Sequence, residues 1–305
     1  MIELLRKFRT ELMGIAMLHV LVIHAYYWLG INFSSLGFTV FKTYVESCYV
    51  STFLFLSGFG CFYSYSRNSE IKIFFKKRLY RVFVPYLLIS APFFFYEDVV
   101  KYSAYKTFLF DLTTLQFWVD GNHCGMWYVA VLFICYFLFP LVYKCCKSNC
   151  YPLAVGGVIL MIMTALIMFL RNYCPEYYAK IEYGLQFMPY FVVGSIIPFV
   201  NEYLPKSWEK IIVMIIALFT LSIIPMVGLL IYLYLLNKTF YKRLAVFHFL
   251  GVYSLEIYLF HMLFLHIIPE FENSLLFVTV CYASTFLLCR PIHRLIRRVN
   301  IVLKN

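Results

Sequence analysis

Nine apolar runs, at about 12–33, 44–65, 82–100, 125–143, 152–170, 184–200, 211–236, 244–268 and 275–289, alternate with short polar segments along the chain. Runs of this length and apolarity read as membrane-spanning helices, because an α-helix needs roughly 20 residues to cross the hydrocarbon.

The polar segments divide by charge. Basic residues crowd into alternate ones: Arg6, Lys7 and Arg9 before the first run, then Arg67 to Arg81 between the second and third. Others are Lys144 and Lys147, Lys206 and Lys210, Lys238 to Arg243, and the closing cluster from Arg290 to Lys304. The intervening segments hold most of the acids, among them Glu46, Glu97, Asp98, Asp111, Asp120, Glu176, Glu182, Glu270 and Glu272. The positive-inside rule therefore places both termini in the cytoplasm. Two cytoplasmic ends require an even number of crossings. Splitting the run at 211–236 around Ser222–Gly228, with Pro225 as the breaker, restores that parity. The expected fold is an all-α polytopic membrane protein with about ten transmembrane helices, forming a single domain over residues 1–305.

The first run continues to Phe33, longer than a signal-peptide core, with no small-x-small cleavage site after it. It is read as a retained span. Of all residues 63% are hydrophobic and only 13% charged, with a mean hydropathy of +0.80. A soluble domain is about half apolar and a quarter charged, which excludes that class. The net charge of +11 suggests nucleic acid until its placement is considered. The basic residues flank membrane runs, so no nucleic-acid partner is expected. The ten cysteines are scattered, mostly inside apolar runs, and no His/Cys/acid spacing suits a metal. No internal repeat is visible, which weighs against an inverted-repeat transporter.

Against this background a few polar groups are conspicuous. His24 lies about 18 Å into the first span, past the middle of a core about 30 Å thick. It is either a functional group facing a cavity or an interhelical hydrogen bond. Arg78 and Arg81, three apart, share a helix face and suit a phosphate-rich ligand. The competing reading is a topology anchor on anionic lipid. Ser57-Gly58-Phe59-Gly60 allows close approach to a neighbouring helix or a ligand. Glu256 lies inside an apolar run and requires a partner, and it is too poorly phased with His261 to share its face. The outer segment from Lys101 to Cys124 is long enough to cover or shape a site.

Together these residues resemble the acyltransferase-3 family of integral membrane O-acyltransferases, from about Phe8 to Arg298. The resemblance rests on Gly14-Ile15-Ala16 with His24, Ser57-Gly58-Phe59, and Arg78-x-x-Arg81 with Pro85. It continues in Trp127-Tyr128 and in Ser254-Leu255-Glu256-Ile257-Tyr258-Leu259-x-His261. It implies a bacterial cytoplasmic-membrane enzyme that moves an acyl group, usually acetyl from acetyl-CoA, to a hydroxyl of an extracytoplasmic saccharide or glycolipid. Arg78, Arg81, Ser57 and Gly58 would then bind the donor. His24 would act as general base or carry a transient acyl group. Trp127, Glu256 and His261 would complete the site. One departure stands out: an arginine usual in the family, with an acid three residues before it, is replaced here by Met13 and Thr10. Arg9 and Glu11 are the expected substitutes. The alternative function is a transporter or flippase of an acyl carrier or lipid-linked sugar without acyl-transfer chemistry.

Overall fold

The computed structural model describes residues 2–30, 36–121, 125–149, 151–199, 223–238, 245–268 and 273–302. The chain is all-helical, and no strand occurs among the described residues. After a short α1 (Ile2–Lys7) come α2 (Arg9–Trp28), α3 (Leu36–Arg67) and a long α4 running from Ile71 to Lys101. Two short helices, α5 (Tyr105–Leu112) and α6 (Leu115–Asp120), lead to α7 (Trp127–Lys147) and α8 (Pro152–Tyr173). Then follow α9 (Pro175–Leu185), α10 (Met188–Ile196), α11 (Ile223–Lys238), α12 (Ala245–Val252), α13 (Ser254–Ile267) and α14 (Ser274–Val302).

Six of these, α2, α3, α4, α7, α8 and α14, are long and apolar enough to cross a membrane, and α12 with α13 makes a seventh, bent by 73°. The run at 244–268 is therefore not one straight span. It breaks at Tyr253, whose φ of −101° and ψ of 15° leave the α-helical basin. The expected break around Ser222–Gly228 also changes. Residues 223–228, Pro225 included, are helical as part of α11 (Ile223–Lys238) rather than a turn. The first half of the expected hairpin, and Ser222, lie outside the described residues. The Arg78–Arg81 segment is not a loop before a span but part of α4 itself.

Lipid tails are as apolar as leucine, so these helices are held by close packing and interhelical hydrogen bonds. α3 is the central helix, touching α2, α7, α10 and α11. At the crossing of α2 with α12, a β-carbon on Gly14 would collide with the Phe247 carbonyl, and one on Gly251 with the Thr10 carbonyl. The two backbones therefore touch. Around one end of α3, Tyr65 meets Phe74, Phe139 and Tyr143 edge to face, the arrangement that ring quadrupoles favour. α14 reaches α2 through Tyr282, whose hydroxyl donates to the Leu21 carbonyl at 2.6 Å. Within the Lys101–Cys124 segment, the described residues 105–120 carry α5 and α6, tied down by the Tyr86 hydroxyl on the Asp111 carbonyl. None of its described residues lines the cavity below.

Candidate active site

A cavity of about 1020 Å³ lies between α2, α3, α4, α7, α9, α10, α12, α13 and α14. Both Arg9 and Tyr27 line it, so it runs roughly 27 Å along α2 at about 1.5 Å per residue. Its two ends differ in chemistry.

At the Arg9 end three guanidiniums converge: Arg9, Arg78 and Arg81 all line the cavity. Arg9 Nε donates to the Leu56 carbonyl at 3.1 Å, which holds the side chain against α3. Room for it comes from Gly60, because a β-carbon there would stand 2.7 Å from Arg9 Nη2. The Arg78 guanidinium is packed against the rings of Phe74 and Tyr136, at 5.0 and 5.2 Å from their centroids. Arg78 is only 8% exposed, and its Nε and Nη2 are buried without a hydrogen-bond partner among the described residues. A buried cation left without a counter-charge is costly, so the arrangement favours an anion.

Local backbone geometry places Arg81. Residues Leu79–Phe83 form a π-helical turn just before Pro85. In that register the Tyr80 carbonyl would accept from residue 85, but proline has no N–H. Asn300 Nδ2 of α14 donates to that carbonyl instead, at 2.9 Å. α14 thus secures the turn that carries Arg81.

Two carboxylates line the cavity, Glu46 and Glu256. Glu256 accepts from His293 Nδ1 at 2.6 Å. Its partner is thus a histidine of α14. Glu46 sits at the opposite end, where it accepts from the Tyr27 hydroxyl and lies 3.7 Å from Lys42 Nζ. That end is otherwise aromatic: Tyr27, Tyr49, Trp127, Tyr183 and Phe187 line it, with Trp127 and Phe187 stacked at 6.0 Å.

His24 also faces the cavity toward this aromatic end. Its Nδ1 is 2.8 Å from Nε2 of His261, whose own Nδ1 is 2.8 Å from the Ile257 carbonyl. The two imidazoles meet edge to edge through this N···N contact, with centroids 5.1 Å apart and planes 22° off parallel.

The structure thus gathers most of the sequence-derived residues around one cavity, but not all. Arg9, Ser57, Arg78, Arg81, Trp127, His24 and Glu256 line it. His261 touches it through His24. Gly58 does not: a β-carbon there would strike the Phe191 carbonyl of α10, so this glycine serves helix packing. Glu11 does not line it either. It is buried, with Oε1 3.1 Å from His248 Nδ1 of α12. Nor does Arg9 meet His24, since 15 residues of continuous helix separate them by about 22 Å. Arg9 and Met13 do share the cavity wall, so Arg9 enters one turn below the place of the family arginine. Sequence reasoning missed His293, Tyr136, Tyr27 and Glu46. His293 is masked by its setting among Arg290, Arg294, Arg297 and Arg298, where charge reads as topology.

A family model described as an acyltransferase domain (Acyl_transf_3) matches residues 12–241. It ends before α12, so Glu256, His261 and His293 lie beyond the matched residues. No curated protein matches the chain, and no solved structure does.

Proposed function

Because the chain belongs to the acyltransferase-3 family, we propose that it is a membrane O-acyltransferase carrying an acyl group, most simply acetyl, from cytoplasmic acyl-CoA to a hydroxyl of an extracytoplasmic saccharide. The observation that carries this reading is a single cavity with three arginines at one end and a histidine toward the other. The positive-inside pattern sets the arginine end in the cytoplasm, where acyl-CoA is found. The charged residues of that end match the phosphates of such a donor. Its apolar wall suits the long arm that leads to the thioester.

In this reading Arg9, Arg78 and Arg81 hold the phosphates. His24 Nε2 takes the proton of the acceptor hydroxyl as its oxygen attacks the thioester carbonyl carbon. The carbon–sulfur bond breaks, and the departing thiolate receives the proton from His24. Atoms and charge balance without a further reactant. The acceptor would approach between Tyr27, Glu46 and Trp127, from the extracytoplasmic side of the bacterial cytoplasmic membrane. Aromatic faces and a carboxylate are suitable partners for a polyhydroxylated molecule.

The test is acetyl-CoA binding to purified protein, wild type beside Arg78→Ala/Arg81→Ala. Saturable binding that disappears in the double variant is expected. Absence of binding by a folded, monodisperse wild-type sample would overturn the reading and favour transport without chemistry.

A further inference from the structure

We infer that His261 is a positioning residue that fixes the tautomer of His24 and leaves His24 Nε2 as the proton-accepting nitrogen of the cavity. The inference rests on the acyltransferase reading for its kinetic consequence and on the hydrogen bonds alone for its geometry.

The argument starts from an atom that has one possible role. The Ile257 carbonyl can only accept, so His261 Nδ1, at 2.8 Å from it, carries a hydrogen and donates. His261 is fully buried on α13, flanked by the rings of Tyr258 and Tyr282. Its described hydrogen-bond partners are that carbonyl and His24, with no carboxylate to balance a cation. An imidazolium there would be an uncompensated buried charge, so the ring is neutral and its Nε2 presents a lone pair. His24 Nδ1, 2.8 Å away, must then be the donor. A neutral imidazole has one hydrogen. With it on Nδ1, His24 Nε2 is unprotonated, on a side chain that lines the cavity.

This order of donors matters for catalysis. A lone histidine distributes its hydrogen between both nitrogens, and only one tautomer presents a base to the substrate. His261 removes that choice. The edge-to-edge, near-coplanar pairing of the rings also fixes the direction in which the His24 Nε2 lone pair points. His261 brings no negative charge, so it does not stabilise an imidazolium as a carboxylate would. A proton taken by His24 is therefore best passed on within the same event, to the leaving thiolate.

The test compares His261→Leu, which removes the acceptor, with His261→Gln, whose side-chain carbonyl accepts from His24 Nδ1. Two readouts are taken. The first is nitrogen-15 NMR of histidine-labelled protein, with His24 assigned by its loss in His24→Gln. Wild type should show His24 protonated at Nδ1 and bare at Nε2, and His261→Leu should lose that preference. The second is label transfer from radiolabelled acetyl-CoA in membranes of the cells that make the protein. In His261→Leu, kcat should fall on the order of 10²-fold with the KM for acetyl-CoA held within about twofold, and His261→Gln should restore most of it. A His24 ring protonated at Nε2 in wild type overturns the inference. So does full activity in His261→Leu, or an equal loss in both variants accompanied by an equal drop in melting temperature. If wild type transfers no label yet His24 shows the stated tautomer, the acyltransferase reading fails and the positioning role stands.

Discussion

Gly60 and Arg9 share one volume: the guanidinium of α2 lies where a side chain on Gly60 of α3 would have to be, with Nη2 2.7 Å from the position of a β-carbon. Two residues earlier, Gly58 is excluded from substitution for another reason, since its β-carbon would strike the Phe191 backbone. The neighbours differ in how they can respond. A guanidinium at the end of a flexible side chain swings aside; a helix backbone does not.

Gly60→Ala should therefore leave the melting temperature nearly unchanged while weakening acetyl-CoA binding several-fold. Gly58→Ala should do the reverse, lowering stability by about 1–3 kcal/mol as overpacking does. Thermal unfolding and titration of the two purified variants, side by side, check both halves.

His24→Ala should remove the base without disturbing the donor site some 22 Å away. Label transfer from acetyl-CoA should drop about 10²- to 10⁴-fold, the range of a lost general base. Acetyl-CoA affinity should stay at the wild-type value. Unchanged transfer in this variant would end the assignment of His24.

Arg78 is packed against Phe74 and Tyr136 as well as charged. Lysine retains the charge but lacks the planar fork and the stacking surface. Arg78→Lys should accordingly weaken acetyl-CoA binding about tenfold, roughly 1.4 kcal/mol, rather than preserve it. Isothermal titration at two salt concentrations separates the lost geometry from the remaining electrostatics.

Asn300 supplies the donor that Pro85 cannot give to the Tyr80 carbonyl. Asn300→Leu removes that hydrogen bond from the turn, which should cost about 1 kcal/mol of stability. The π-helical turn carrying Arg81 should relax with it, raising the KM for acetyl-CoA while kcat changes little. Steady-state kinetics with a melting curve would show the two effects together.

The single-residue features were legible in the sequence; the partnerships were not. A histidine past the middle of the first apolar run is visible because its cost in hydrocarbon is intrinsic to its position. Arg78 and Arg81 stand out for a similar reason, being two guanidiniums on one face beside a span. His261 is a weaker signal, because its meaning lies in His24, 237 residues away, and no spacing rule connects them. Arg9 reads as a flanking cation, and only the space at Gly60 shows that it turns inward. Glu11 shows the converse. Its place next to the family motif suggests catalysis, yet helix rotation carries it to His248 on α12. Helix boundaries also escaped. The bend at Tyr253 has no proline to announce it, and Pro225, which does suggest a break, lies among the helical residues of α11.

The pairing of His24 with His261 also constrains when in its own synthesis the protein becomes complete. The ribosome delivers α2 well before α13, so His24 emerges 237 residues ahead of His261. A nascent chain halted anywhere before α13 would have its arginines but an unrestrained His24. Assembly order thus acts as a safeguard: the imidazole of α2 gains its fixed orientation only after α13 has inserted.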